Sequence, residues 1–301
     1  MKRVHGSGSR VGGLVVLAAL VLSAPLGADE LQQRLERIFT DKAFSARAFG
    51  PARWLDGGRA YTTVEDSPTV AEAKDIVRYE TGSGARSVLV SATSLVPAAG
   101  QAPLGIDDYA WSESGTRLLI FTNTVKVWRR NTRGDYWVLD RETGTLRQLG
   151  TEFPESTLMF AKLSPDGTRA AYVQANDLYV ESLGDGTVTR LTSDGSPTSI
   201  NGTSDWVYEE EFSLRDGFRW SPDGTEIAFW HFDATGIGSF PLINNTDTTY
   251  PVVTWIPYPK VGTTNSAVKV GVVSASGGEP RWVDVPGDDP RAYYLPRMEW
   301  V

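Results

Sequence analysis

Cysteine is absent from the 301 residues, which excludes a disulfide framework, a thiol nucleophile and a cysteine-ligated metal. Histidine is nearly as scarce, with only His5 and His231. His5 falls in the amino-terminal segment, and His231 comes directly after the apolar run Ala228-Phe229-Trp230, where a satisfied structural histidine outweighs a catalytic base. The sequence contains neither a Gly-x-Ser-x-Gly elbow nor a His-Glu-x-x-His zinc helix, and no glycine loop has phosphate-binding order. Positive charge is in deficit too: 29 Lys and Arg against 37 Asp and Glu give a net charge of −8. Such a chain is a poor partner for nucleic acid or anionic lipid and attracts cations. No cofactor and no metal is implied.

Long apolar runs are also missing. The longest, Val11 to Leu22, is preceded by Lys2, Arg3 and Arg10 and followed by small residues at Ser23-Ala24 and Gly27-Ala28. It is too short for a comfortable membrane span, and its order is that of a secretory signal. The expectation is a signal peptide over 1–28 on an exported chain, periplasmic or secreted, with an uncleaved anchor as the alternative. Losing those three positive charges would take the net charge from −8 to −11.

Beyond residue 28 the chain is strongly patterned. Leu31, Leu35, Ile38 and Phe39 share one helical face, and Asp29 with Gln32 imitates a capping box. This predicts a short helix within a strap over 29–48. From about residue 50 a repeat begins. Its strongest copies are Trp111 to Phe121, Leu163 to Val173 and Trp220 to Trp230, and Trp54 to Val64 is a weaker one. The anchors at 54, 111, 163 and 220 are 57, 52 and 57 residues apart. Each copy ends one strand on an aromatic or Leu, turns through Ser-Pro-Asp-Gly or a relative of it, and starts a second strand. Pro presets φ and Gly supplies a positive φ, so these Asp-Gly pairs are read as turns, not calcium loops.

A second hairpin completes each copy, as in Tyr136–Asp140 with Leu146–Leu149, and Asp177–Glu181 with Val188–Leu191. Val268–Val273 and Arg281–Val285 close the fourth copy in the same way. Four strands per repeat is the pattern of β-propeller blades, with the repeated Trp residues as blade core. The predicted fold is all-β: a partial propeller over 49–301 of about four blades, with the stub of a fifth at Met298–Val301.

The one concentration of chemistry is Asp205-Trp206-Val207-Tyr208-Glu209-Glu210-Glu211-Phe212. At ~5 Å and an effective dielectric of ~20, each pair of its carboxylates repels by roughly 3 kcal/mol. Either water screens that charge or a cation is meant to arrive. Thr203, Ser204 or Asp205 could cap a short helix here.

This stretch, together with Phe218–Gly224 and Tyr258-Pro259-Lys260 with Gly262 and Asn265, resembles the dipeptidyl peptidase IV family, serine exopeptidases of the prolyl oligopeptidase superfamily. Leu35–Phe39 is similar to the opening of bacterial members. The resemblance implies an eight-bladed propeller joined to an α/β-hydrolase domain, the latter expected beyond Val301, so that no catalytic residue lies in this chain. It implies that Glu210 and Glu211 grip the α-ammonium of a peptide substrate, with Glu209 a bystander. Lys126-Val127-Trp128-Arg129 matches the family's arginine motif, which makes Arg129 the candidate for holding the substrate carbonyl, with Arg130 its confusable neighbour. The implied partners are peptides with a free amino terminus, the hydrolase domain and a second copy in a homodimer. The implied function is the substrate-gating part of an enzyme releasing Xaa-Pro or Xaa-Ala dipeptides. The alternatives are a non-catalytic propeller scaffold, and a tripeptidyl or broader aminopeptidase.

Overall fold

The computed structural model describes residues 28–46, 49–287 and 289–301. The expected signal peptide therefore lies almost wholly outside the described residues. The described residues fall into two compact units, divided between Phe49 and Gly50. The first holds the expected helix, α1 (Ala28–Leu35), continued by a wider π-helical turn over Glu36–Thr40. An Arg34–Glu30 ion pair and a Gln32–Glu36 hydrogen bond, both four residues apart, support it.

The second unit consists of antiparallel blades in chain order. The first is β1 (Ala52–Leu55), β2 (Ala60–Asp66), β3 (Lys74–Glu80) and β4 (Arg86–Val90). The second is β5 (Asp108–Trp111), β6 (Arg117–Lys126), β7 (Asn131–Asp140) and β8 (Leu146–Gln148). The third is β9 (Leu158–Leu163), β10 (Arg169–Gln174), β11 (Asp177–Ser182) and β12 (Val188–Arg190). After β13 (Ser199–Asn201), the fourth is built on β14 (Phe218–Trp220), β15 (Glu226–Asp233), β18 (Ala267–Ser274) and β19 (Arg281–Trp282), with β13 pairing the far end of β15. A separate hairpin, β16 (Ser239–Asn244) with β17 (Val252–Pro257), is inserted between β15 and β18. The sequence pattern does not separate it, because Pro241 breaks the strand signal of β16.

The turns behave as their chemistry requires. In the Ser221–Thr225 turn, Asp223 accepts from the Ser221 hydroxyl at 2.6 Å and from the Thr225 N–H at 3.0 Å, and Gly224 sits at φ +70°. Asp166 does the same with Ser164 and Thr168.

Apolar side chains gather at the seams between blades. Ile76, Val90 and Leu95 meet Tyr109, Leu118 and Ile120 between the first and second. Leu119, Tyr136 and Val138 meet Leu158, Ala170 and Tyr172 between the second and third. Val173, Leu178 and Val180 meet Phe218, Ile227 and Phe229 between the third and fourth. A propeller is held by such face-to-face burial of neighbouring blades.

The repeated tryptophans are not blade core as expected. Trp54 is 71% exposed, and Trp111 and Trp220 are half-buried. At Trp111 and Trp220 the indole N–H finds its acceptor across the seam, which holds the ring at the blade edge. Trp111 Nε1 donates to Thr62 Oγ1 at 3.0 Å, Trp220 Nε1 to the Lys162 carbonyl at 3.3 Å, and Trp300 Nε1 to the Arg219 carbonyl at 3.2 Å. Each reaches back to the preceding blade, Trp300 doing so from the expected stub of a fifth. Basic residues reach forward: Arg53 to the Tyr109 carbonyl and Asp108, and Lys162 to the Phe218 carbonyl and Asp216.

Candidate functional site

The carboxylate run forms α2 (Trp206–Phe212), a seven-residue helix between β13 and β14. A helix this short is not stable alone, so its ends and one face are tied down. Asp205 caps it, accepting the Tyr208 N–H at 3.0 Å. Asp205 is buried, which raises its pKa against the effect of that hydrogen bond. The far end stops at Ser213 in a left-handed turn, with the Leu214 N–H returning to the Tyr208 carbonyl at 3.0 Å. Tyr208 points into the fourth blade against Phe232, and its hydroxyl accepts the Leu295 N–H at 2.8 Å.

With Tyr208 fixed inward, the three glutamates fan out around the helix. Glu209 is buried, and the Arg215 Nε donates to its carboxylate at 3.2 Å. Burial raises the Glu209 pKa, and Arg215 opposes the rise. Glu210 is half-buried, and its Oε1 lies 3.0 Å from Nε of Arg129, which is itself largely exposed. Glu211 is exposed. Arg129 stands in the turn between β6 and β7, so the structure brings it to Glu210 from another blade. Of the three residues expected to form the site, Arg129 and Glu210 are in contact, and Glu211 is next to Glu210 on the same helix.

An aromatic frame surrounds them. Trp206 packs against Trp128 with centroids 5.2 Å apart and against Tyr258 at 5.5 Å, and Tyr258 against Phe240 at 5.2 Å. The frame fixes the arginine turn, the helix and the start of the β16–β17 hairpin to one another. Behind it lies a cavity of about 160 Å³, whose wall includes Trp128, Arg133, Phe160, Trp206, Glu209 and Arg215. That is far more than one water requires. Phe160 stands at φ +54° in β9, where the register with β10 shifts, a strained conformation for a bulky residue.

In the sequence, Trp206, Trp128 and Tyr258 stand out only as parts of motifs. Arg215 and Phe160 do not stand out at all, because local sequence carries no signal for them. His231 is structural, as expected: its Nδ1 lies 2.9 Å from Asn201 Oδ1, and burial lowers its pKa.

Residues 112–301 match the family model described as the dipeptidyl peptidase IV N-terminal region. Dipeptidyl aminopeptidase B of Saccharomyces cerevisiae is 36% identical over 180 residues, covering 58% of this chain and 21% of the relative. Dipeptidyl peptidase 4 of Trichophyton tonsurans is 30% identical over 222 residues, covering 72% and 28%. The crystal structure of Porphyromonas gingivalis dipeptidyl peptidase 4 superposes with a TM-score of 0.74 at 27% identity, covering 87% of this chain and 36% of that one. The chain thus spans about a quarter of the length of these curated relatives. By the family match over most of its propeller, the chain belongs to the dipeptidyl peptidase IV family, through its N-terminal region.

Proposed function

We propose that residues 50–301 are the substrate-gating part of an exported serine exopeptidase that releases N-terminal dipeptides of the Xaa-Pro or Xaa-Ala kind. Glu210 and Glu211 take the α-ammonium of the peptide, and Arg129 takes the carbonyl of its second residue. The observation that carries this reading is the Arg129–Glu210 contact at 3.0 Å, which joins the turn between β6 and β7 to the carboxylate helix, next to cavity-lining Trp128 and Glu209. An ammonium has three donors and a carboxylate about four acceptor sites. Glu210 can therefore keep Arg129 and still accept a hydrogen bond from the ligand ammonium, while Glu211 offers a whole carboxylate. Charge-assisted hydrogen bonds of this kind are short and strong, and a cation relieves the repulsion between the two glutamates.

The arrangement measures the substrate. With its amino terminus held at α2, a peptide presents a fixed bond to a nucleophile standing at a fixed distance. The serine, histidine and aspartate are assigned to an α/β-hydrolase portion outside residues 1–301. The experiment uses the full-length protein and a defined peptide with proline second, its products read by mass spectrometry. Release of the intact N-terminal dipeptide is expected. Tripeptide release would move the protein to a tripeptidyl class, and no cleavage with a free amino terminus would favour a binding scaffold.

A further inference from the structure

The Glu209–Arg215 pair is unused by that reading. The family resemblance makes Glu209 a bystander, yet it is the most buried of the three glutamates and the only one of them on the cavity wall. Its partner Arg215, three residues past the helix, lines the same cavity and is only about a quarter exposed. Arg130 also lies close enough to favour the charged form of Glu209, while Glu210 disfavours it.

Around the helix the charges balance. Arg129, Arg130, Arg133 and Arg215 stand against Asp205, Glu209, Glu210 and Glu211. The acceptor capacity of Glu210 is already partly committed to Arg129. A second guanidinium on it would leave little room for a ligand ammonium, because guanidinium donors match a carboxylate better than an ammonium does. Arg215 is a guanidinium five residues along the same loop from Glu210, and Glu209 engages its Nε at 3.2 Å.

We propose that Glu209 is the counter-ion that masks Arg215, keeping that guanidinium off Glu210 and leaving the site's negative charge available to a peptide ammonium. Glu209 in this role is a positioning residue, acting through Arg215 without touching the substrate. The inference rests on the reading of Glu210 and Glu211 as the ammonium site.

The test uses the full-length enzyme and a Xaa-Pro amide with a free amino terminus. Glu209→Gln removes the counter-charge of Arg215 and should raise KM about tenfold or more, with kcat changed less than twofold, because the surroundings of the arriving cation become one charge more positive. Removing the competitor as well, in Glu209→Gln/Arg215→Gln, should bring KM back to within about threefold of the parent. Arg215→Gln alone should leave KM within the same range, and it carries the test if Glu209→Gln does not fold. A double variant no better than Glu209→Gln would overturn the proposal, as would an unchanged KM in that single variant or a tenfold rise in Arg215→Gln. Glu210→Gln and Glu211→Gln are measured in parallel. If neither changes KM, the ammonium site itself is misplaced; if they do and Glu209→Gln does not, only the masking role fails.

Discussion

Glu181 shows what a single charged residue costs and contributes in this fold. It is 3% exposed at the seam between the second and third blades. Its carboxylate accepts from Arg147 at 2.6 Å, the Gly150 N–H at 2.8 Å and the Tyr172 hydroxyl at 3.1 Å. Fully partnered, it locks the two blades together. Glu181→Ala would strand all three donors and should cost about 3 kcal/mol in urea unfolding; a loss below 1 kcal/mol would show that the network is not holding the seam. Asp223 acts at the surface instead. Hydrogen bonds from Ser221 and Thr225 lower its pKa from 3.8 to about 2. A value lowered on folding stabilises the native state above the ordinary carboxylate value, and the contribution disappears as pH falls through about 4 towards about 2. Asp223→Asn should flatten that part of the stability–pH curve, and thermal melts across it would show the change.

At the scale of elements, two kinds of information separate. The blades were legible because their signals are local: alternating apolar residues make the strands, and Asp-Gly turns make the hairpins. The burial of the anchors was not legible, since an indole at a seam depends on which carbonyl the neighbouring blade offers. Trp220→Phe keeps an aromatic ring but loses the indole N–H bond to the Lys162 carbonyl and part of the packing against the seam, so it should cost at least about 1 kcal/mol. Trp54→Phe, at an exposed position, should be nearly neutral in the same melt. The helix α2 was expected from the capping residues and the Glu run, but its rotation was not, because Phe232 and Leu295 set it through Tyr208 from other parts of the chain. Gly217 fixes the loop that carries it: a Cβ there would lie 2.3 Å from the Thr203 carbonyl oxygen. Gly217→Ala should therefore destabilise by about 2–3 kcal/mol, through a backbone shift next to the site; wild-type stability would contradict the close packing.

At the largest scale, residues 50–301 are a series of seams, and the candidate site draws its residues from several blades. Arg129 comes from the second blade, Phe160 from the third, and Glu209, Glu210 and Glu211 from the loop leading into the fourth. No blade carries the constellation by itself, which is why composition and periodicity yielded the propeller but only the family resemblance pointed to Arg129. Recognition of a peptide's free ammonium by Glu210 and Glu211, as proposed above, is open to direct test. In the full-length protein, the most direct measurement compares kcat/KM on a Xaa-Pro amide with its N-acetylated counterpart, before and after Glu210→Ala or Glu211→Ala. The account predicts strong preference for the free amine in the parent and a loss of ~2–5 kcal/mol of that preference in each variant. Equal kcat/KM for parent and variants on the free-amine substrate would contradict it.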